Sequence, residues 1–148
     1  MLMTRASRLA IEALVELADV GPQTWVTAEA LSGKTSGDLP FVKQALHRLA
    51  GAGIVRSKLG RGGGYQLARN PRTLTLKMVV DTIDGGGLER CMLDSTLCDG
   101  RRRCRMAPTW HPMRDQLLGF LEQETIQSIA ERSRGAVERF ALSEMDRE

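Results

Sequence analysis

Residues 39–68 read LPFVKQALHRLAGAGIVRSKLGRGGGYQLA, and the fold turns on how that stretch divides. In its first half Val42, Ala45, Leu46 and Leu49 recur at the period of a helix, which predicts one from Leu39 to Gly51. Asp38 can accept hydrogen bonds from the first free amides, Pro40 is tolerated in a first turn, and Gly51 and Gly53 end the helix. Lys43, Gln44, His47 and Arg48 fall off the apolar stripe and are candidate DNA contacts. In the second half Ile54–Lys58 and Tyr65–Ala68 read as short strands around the tip LGRGGG. Four glycines there let the backbone lie close to a phosphate, and Arg61 can reach into a minor groove. Lys58, Arg61 and Tyr65 complete the candidate contacts. A phosphate loop for a nucleotide must lead from a strand into a helix; these glycines lead into another strand, which argues against it.

Working outward, Val26 to Leu31 predicts a short helix capped by Thr27, and Ser32 to Gly37 a turn. Two short helices joined by a tight turn, the second carrying polar residues outward, form a helix-turn-helix, and the hairpin behind it is a wing. Thr4 to Asp19 predicts a first helix with Thr4 as cap, stopped by Gly21-Pro22; Leu74 to Ile83 predicts a fourth, with Thr75 as cap and Gly85 to Gly87 as stop. After a loop from Leu88 to Pro108, a long helix starting near Pro112 places Trp110, Met113, Leu117, Phe120 and Leu121 on one side. Residues 125–134 either continue it or begin a shorter helix. A stripe this long needs a cover, and a second copy of the chain is the expected one, against the alternative of folding back on its own domain. The expected architecture is therefore mainly α: a winged helix-turn-helix over residues 1–85, a cysteine loop over 86–108, and a dimerisation helix with its tail over 109–148.

Charge is distributed to match. Between Leu39 and Arg72 lie seven basic residues and no acidic one, whereas from His111 to the end five arginines face eight carboxylates. One half suits a polyanion and the other does not. The N-terminal segment carries Arg5 and Arg8 and then an amphipathic run ending in Glu16 and Asp19, unlike the unbroken apolar stretch of a secretory signal, so a cytoplasmic location off the membrane is expected. No nucleophile–base pair, facing carboxylates or phosphate loop marks an enzyme.

All three cysteines, Cys91, Cys98 and Cys104, fall within fourteen residues in a C-x6-C-x5-C pattern. An odd number argues against a disulfide framework. Zinc prefers short-spaced ligand couples, and these longer gaps suit a larger iron–sulfur cluster better. Arg90, Arg101, Arg102, Arg103 and Arg105 surround the cysteines with charge that offsets a thiolate-bound cluster. The competing readings are metal-free thiols, structural or redox-sensing, and zinc. For a fourth ligand Glu12 and His111 are candidates, each with a plainer reading: an Arg8–Glu12 surface ion pair and a surface histidine at a helix start.

The opening Thr4–Ala18, the segment Gly51-Ala52-Gly53-Ile54-Val55-Arg56-Ser57, the wing end Gly62-Gly63-Gly64-Tyr65 and the cysteine trio before Trp110 together resemble the Rrf2 family of winged-helix regulators. The resemblance implies a homodimer whose paired recognition helices read a pseudo-palindromic operator. It also implies a 2Fe-2S or 4Fe-4S cluster on the three cysteines with a fourth ligand from elsewhere, sometimes from helix 1 of the partner subunit, that senses nitric oxide, iron or redox status. The chain departs from the family's pattern in several places. Several members have five residues in the first cysteine gap. One type has a histidine where this chain has Ala107, and another an acidic residue at Arg8. Leu9 replaces a usual tyrosine, and Lys43 stands where one member has a glutamate that helps choose DNA sites. The implied function is a DNA-binding transcription regulator, a repressor, under cluster control. The alternative is a thiol-based regulator without a metal.

Overall fold

The computed structural model describes residues 3–86, 89, 90, 98 and 104–145, with backbone alone from 136 onward. Cys91 and most of the loop expected over 86–108 lie outside the described residues. The described elements are α1 (Arg5–Val20), α2 (Ala28–Lys34), α3 (Leu39–Gly51), β1 (Val55–Lys58), β2 (Gly64–Leu67), α4 (Leu76–Asp84), α5 (Ala107–Gln123) and α6 (Ile126–Met145).

Three helices begin on the threonines expected. Thr4, Thr27 and Thr75 accept hydrogen bonds from the amides of Ser7, Ala30 and Met78. Asp38 sits at the N-cap of α3 with extended backbone, but its side chain makes no capping bond, contrary to expectation. Instead Pro40 in the first turn removes one amide that would need a partner.

α1 is the centre of the packing, with Ala10, Ala13, Leu14 and Leu17 sealed against α3, α4 and α6. Val42, Leu46 and Leu49 of α3 and Val79 and Val80 of α4 close the same core. β1 and β2 pair antiparallel with Val55 opposite Leu67 and Lys58 opposite Gly64. Val26 exchanges both backbone hydrogen bonds with Tyr65, at 2.9 and 2.7 Å, so the segment before α2 anchors the wing.

The C-terminal third differs from expectation in three respects. The long helix starts at Ala107 rather than near Pro112, and Pro112 lies inside it. The missing amide of Pro112 would have bonded Pro108, in the first turn, so the loss falls at the frayed end of the helix. The helix then stops at Glu124, whose backbone is extended and whose carbonyl accepts the Leu76 amide at 2.8 Å, while Ile126 donates to Leu74 at 2.9 Å. This short ladder also delays α4 to Leu76. A reciprocal cap, Thr125 amide to Ser128 Oγ and Ser128 amide to Thr125 Oγ1, both 3.1 Å, then starts α6 as a separate helix. Finally, Leu121, Ile126 and Ala130 belong to the same core as α1. Leu121, expected in a seam between chains, is 6% exposed and packs within its own chain because the turn at Glu124 folds α6 back onto α1.

The C-terminal segment is thus part of what holds the recognition helix. Ile126→Ala, which empties a fully buried site, is expected to cost about 2–5 kcal/mol. A lowered urea midpoint with native far-ultraviolet circular dichroism would be the signature.

Candidate nucleic-acid interface and cysteine–histidine site

The buried stripe of α3 leaves Pro40, Gln44 and His47 at the centre of the opposite, exposed face. Lys43 flanks them on one side and forms a 3.1 Å ion pair with Glu29 of α2. The carboxyl of Glu29 is held below its ordinary range, first by its own backbone amide and then by Lys43. Arg48 flanks them on the other side and donates to the Ile83 carbonyl at 3.0 Å, at the last turn of α4. Of the four α3 residues picked from sequence, Gln44 and His47 stand free of such ties, while Lys43 and Arg48 are also engaged in holding neighbouring helices.

The wing presents Lys58 and Arg61 to solvent. Tyr65 is different: its backbone pairs with Val26 and its half-buried ring packs against the core, so it supports the wing from behind. Two features were not picked out from the sequence. The cations of Arg56 and Lys58 both lie 5.8 Å from the Trp25 ring, and Arg5 lies 5.0 Å from that of the exposed Phe41. Trp25 follows a turn and Phe41 sits beside a proline, and neither belongs to a periodic pattern that would have announced it.

α3 is braced at both ends. At the turn before it, Glu12 of α1 accepts from the Ser36 amide at 2.7 Å and the Ser36 hydroxyl at 3.1 Å, and also from Arg8 at 2.8 Å. Farther along, Arg48 ties α3 to α4. The last residue of α4, Asp84, accepts from the amide and hydroxyl of Thr4 at 3.3 and 2.6 Å, which closes α1 onto the same point.

The second site lies at the start of α5. His111 Nε2 is 3.2 Å from Cys98 Sγ. Cys98 is fixed on both sides of its thiol, because its amide donates to the Glu89 carbonyl at 3.0 Å and its own carbonyl accepts from Arg114 at 3.1 Å. Glu89 in turn meets Lys77 of α4 at 3.1 Å. The ammonium of Lys77 is held above its ordinary range by Asp81 foremost, against the opposing effect of burial, with help from Glu89. Cys104 is half-buried just before α5. The indole nitrogen of Trp110 is buried without a hydrogen-bond partner. Among the described residues no three potential ligands converge on one point. Of the two candidate fourth ligands, Glu12 has both oxygens engaged, whereas His111 faces a cysteine.

With this geometry in place, the chain belongs to the Rrf2 family: the family model described as an iron-dependent transcriptional regulator matches residues 3–132. It is a winged-helix, DNA-binding transcription regulator. Among the relatives it is similar to is the HTH-type transcriptional regulator IscR of Pectobacterium atrosepticum, 27% identical over 135 residues, 87% of this chain and 79% of the relative. IscR of Photobacterium profundum is 28% identical over 135 residues, with 87% and 75% covered. The fold matches that of CymR, the global cysteine regulator of B. subtilis, with a TM-score of 0.75 at 20% identity over 88% of this chain and 96% of that one. It also matches T. potens IscR, with a TM-score of 0.72 at 19% identity over 90% and 88%. No helix among the described residues is long and apolar enough to cross a membrane.

Glu12 gives a pH test of the brace. Burial pushes its carboxyl up, but the Ser36 amide, Arg8 and the Ser36 hydroxyl outweigh that and hold it below 4.5. A lowered folded value adds stability above the unfolded value, and that stability is lost as pH falls through the folded one. Glu12→Gln should therefore lower the melting temperature at neutral pH, and the difference from wild type should shrink toward about pH 3. A gap that persists unchanged in acid would mean that Glu12 acts by packing.

Proposed function

We propose that two copies of the chain bind a pseudo-palindromic operator and that an iron–sulfur cluster held by Cys91, Cys98, Cys104 and His111 sets their affinity for it. The observation that carries this reading is the 3.2 Å approach of His111 Nε2 to Cys98 Sγ. Thiol and imidazole are donors suited to such a cluster, and the residues present fit it. Ala107, where the family resemblance would put a histidine, lies four residues before His111, so the imidazole returns to the same face of α5 one turn later. The unpartnered Trp110 indole N–H is a buried donor beside that position, available to an acceptor such as a sulfide.

Bound there, a cluster supplies a redox-labile anchor for the cysteine loop. The chain's own residues link that loop to the DNA face. Arg114 holds Cys98 from α5 and Lys77 holds Glu89 from α4. The end of α4 holds α3 through Arg48. A displaced loop thereby bears on the helix that positions Gln44 and His47 in a major groove.

Anaerobically purified wild type is expected to be coloured, and each of Cys91→Ser, Cys98→Ser and Cys104→Ser to lose the visible absorbance while keeping native circular dichroism. His111→Ala should shift the spectrum and Glu12→Gln should not. The Cys98–His111 pair also suits an oxidisable thiol, the second reading. A colourless wild type whose DNA binding responds to peroxide through Cys98 would favour that reading over the cluster.

The dimer reading rests on α5. Met106, Met113 and Phe120 recur every seven residues and are 43%, 60% and 51% exposed, the pattern of a coiled-coil seam. Trp110 and Leu117 lie half-buried beside that line, and Leu117 packs against the chain's own core. The seam therefore runs one step around α5 from the stripe read in the sequence. Met113→Glu with Phe120→Glu should place carboxylates in it. Light scattering should then report a monomer that has lost operator binding and kept its fold; a variant still dimeric would put the interface elsewhere.

A further inference from the structure

Leu59, at the wing tip, is 95% exposed. Single surface leucines are ordinary, but the other large exposed apolar side chains here have a setting. Met106, Met113 and Phe120 line one edge of α5, Phe41 lies beside Arg5, and Met3 is next to the end of the chain. Leu59 has no apolar neighbour to share a patch with. Glycines follow it at 60 and 62–64, and it stands within the acid-free stretch from Leu39 to Arg72.

The loop that carries it is closed tightly. Gly60 and Gly62 adopt left-handed conformations with φ of 86° and 69°, and the Gly63 amide bonds the Gly60 carbonyl at 3.0 Å. A Cβ on Gly63 would stand 2.2 Å from the Lys58 carbonyl oxygen, so the backbone passes where no other residue fits. The isobutyl group is thus held out on a short turn, with exposed cations on either side at Lys58 and Arg61. An apolar side chain presented between cations at a hairpin tip suits a duplex minor groove: the cations meet phosphates and groove edges, and the apolar group meets sugars and stacked bases.

We infer that Leu59 is a minor-groove wedge, inserted at a deformable pyrimidine–purine step flanking each half-site so that the bound operator is kinked there. This rests on the wing lying against DNA, and it assigns the wing a sequence preference of its own. TA and CA/TG steps unstack at least cost, so the protein selects for them without a hydrogen bond to any base. Gln44 and His47 would then read base edges while Leu59 reads deformability.

The test uses the full-length dimer and a duplex selected by the wild-type protein from a random-sequence library. Bend is read by energy transfer between end labels, and unstacking by 2-aminopurine at the flanking steps. Leu59→Ala is expected to reduce the bend, abolish the 2-aminopurine signal and weaken the selected duplex roughly tenfold. Affinity for unselected DNA and the salt slope should stay as in wild type, and Leu59→Phe should restore the bend. Arg61→Ala should instead flatten the salt slope by about one unit. If Leu59→Ala bends and binds like wild type while Arg61→Ala or Lys58→Ala weakens binding, the wing only touches phosphates and the wedge is refuted. If all three variants are silent, the wing is not at the DNA, and the underlying placement falls with it.

Discussion

Everything in this molecule is arranged around the burial of one helix. α1 has four residues, Ala10, Ala13, Leu14 and Leu17, at or below 1% exposure. Its two alanines let neighbouring helices approach closely, while its leucines fill the space between them. Burying a leucine is worth about 1.5–3 kcal/mol, whereas an exposed ion pair such as Lys43–Glu29 or Arg8–Glu12 contributes at most about 1 kcal/mol. The hydrophobic packing of α1 therefore determines that the fold exists, and the polar ties determine how its parts are aimed. Because α6 closes the same core, the segment beyond the wing cannot be treated as an appendage.

The polar ties concentrate where aim matters. Ser36 in the turn before α3 is held by Glu12, and Arg48 in the later half of α3 is held by the Ile83 carbonyl. Thr4 and Asp84 join the start of α1 to the end of α4. These contacts meet near one end of α4, and Lys77, at the other end of the same helix, holds Glu89 before the cysteine loop. A short helix of nine residues is thus in contact with both candidate sites. Such short, partly exposed contacts are weak enough to be remade, which a stiff core around α1 is not.

Much of this was legible in the sequence, and the limits have physical causes. The helices up to α4 and the wing followed from local signals: threonine caps, the 3.6-residue stripe and the glycine tip. The split of the C-terminal region at Glu124 was not legible, because it depends on a two-residue ladder with Leu74–Leu76, about fifty residues away in sequence. Leu121 looked like part of an outward stripe for the same reason; its burial is decided by where α6 returns. Tyr65 carried the right residue type for a DNA contact, but the pairing of Val26 with it is a long-range fact. Glu12 and His111 were indistinguishable as candidate ligands from spacing alone.

What separates those two is how many partners each already has. A carboxylate offers about four lone-pair sites, and Glu12 has given the best of them to a backbone amide, a hydroxyl and a guanidinium. Recruiting it to a metal would leave the Ser36 amide without that partner and loosen the turn that leads into α3. Ligation through Glu12 would therefore couple the sensor to the DNA face by breaking the brace on which the DNA face depends. His111 carries no such duty. Its Nε2 has one neighbour, the thiol of Cys98, and the residues around that pair are anchored to α4 and α5 rather than to the recognition helix. A ligand exchanged there leaves the winged helix folded and acts on it only through α4. That separation lets a labile site sit in the same small chain as a rigid DNA-reading surface.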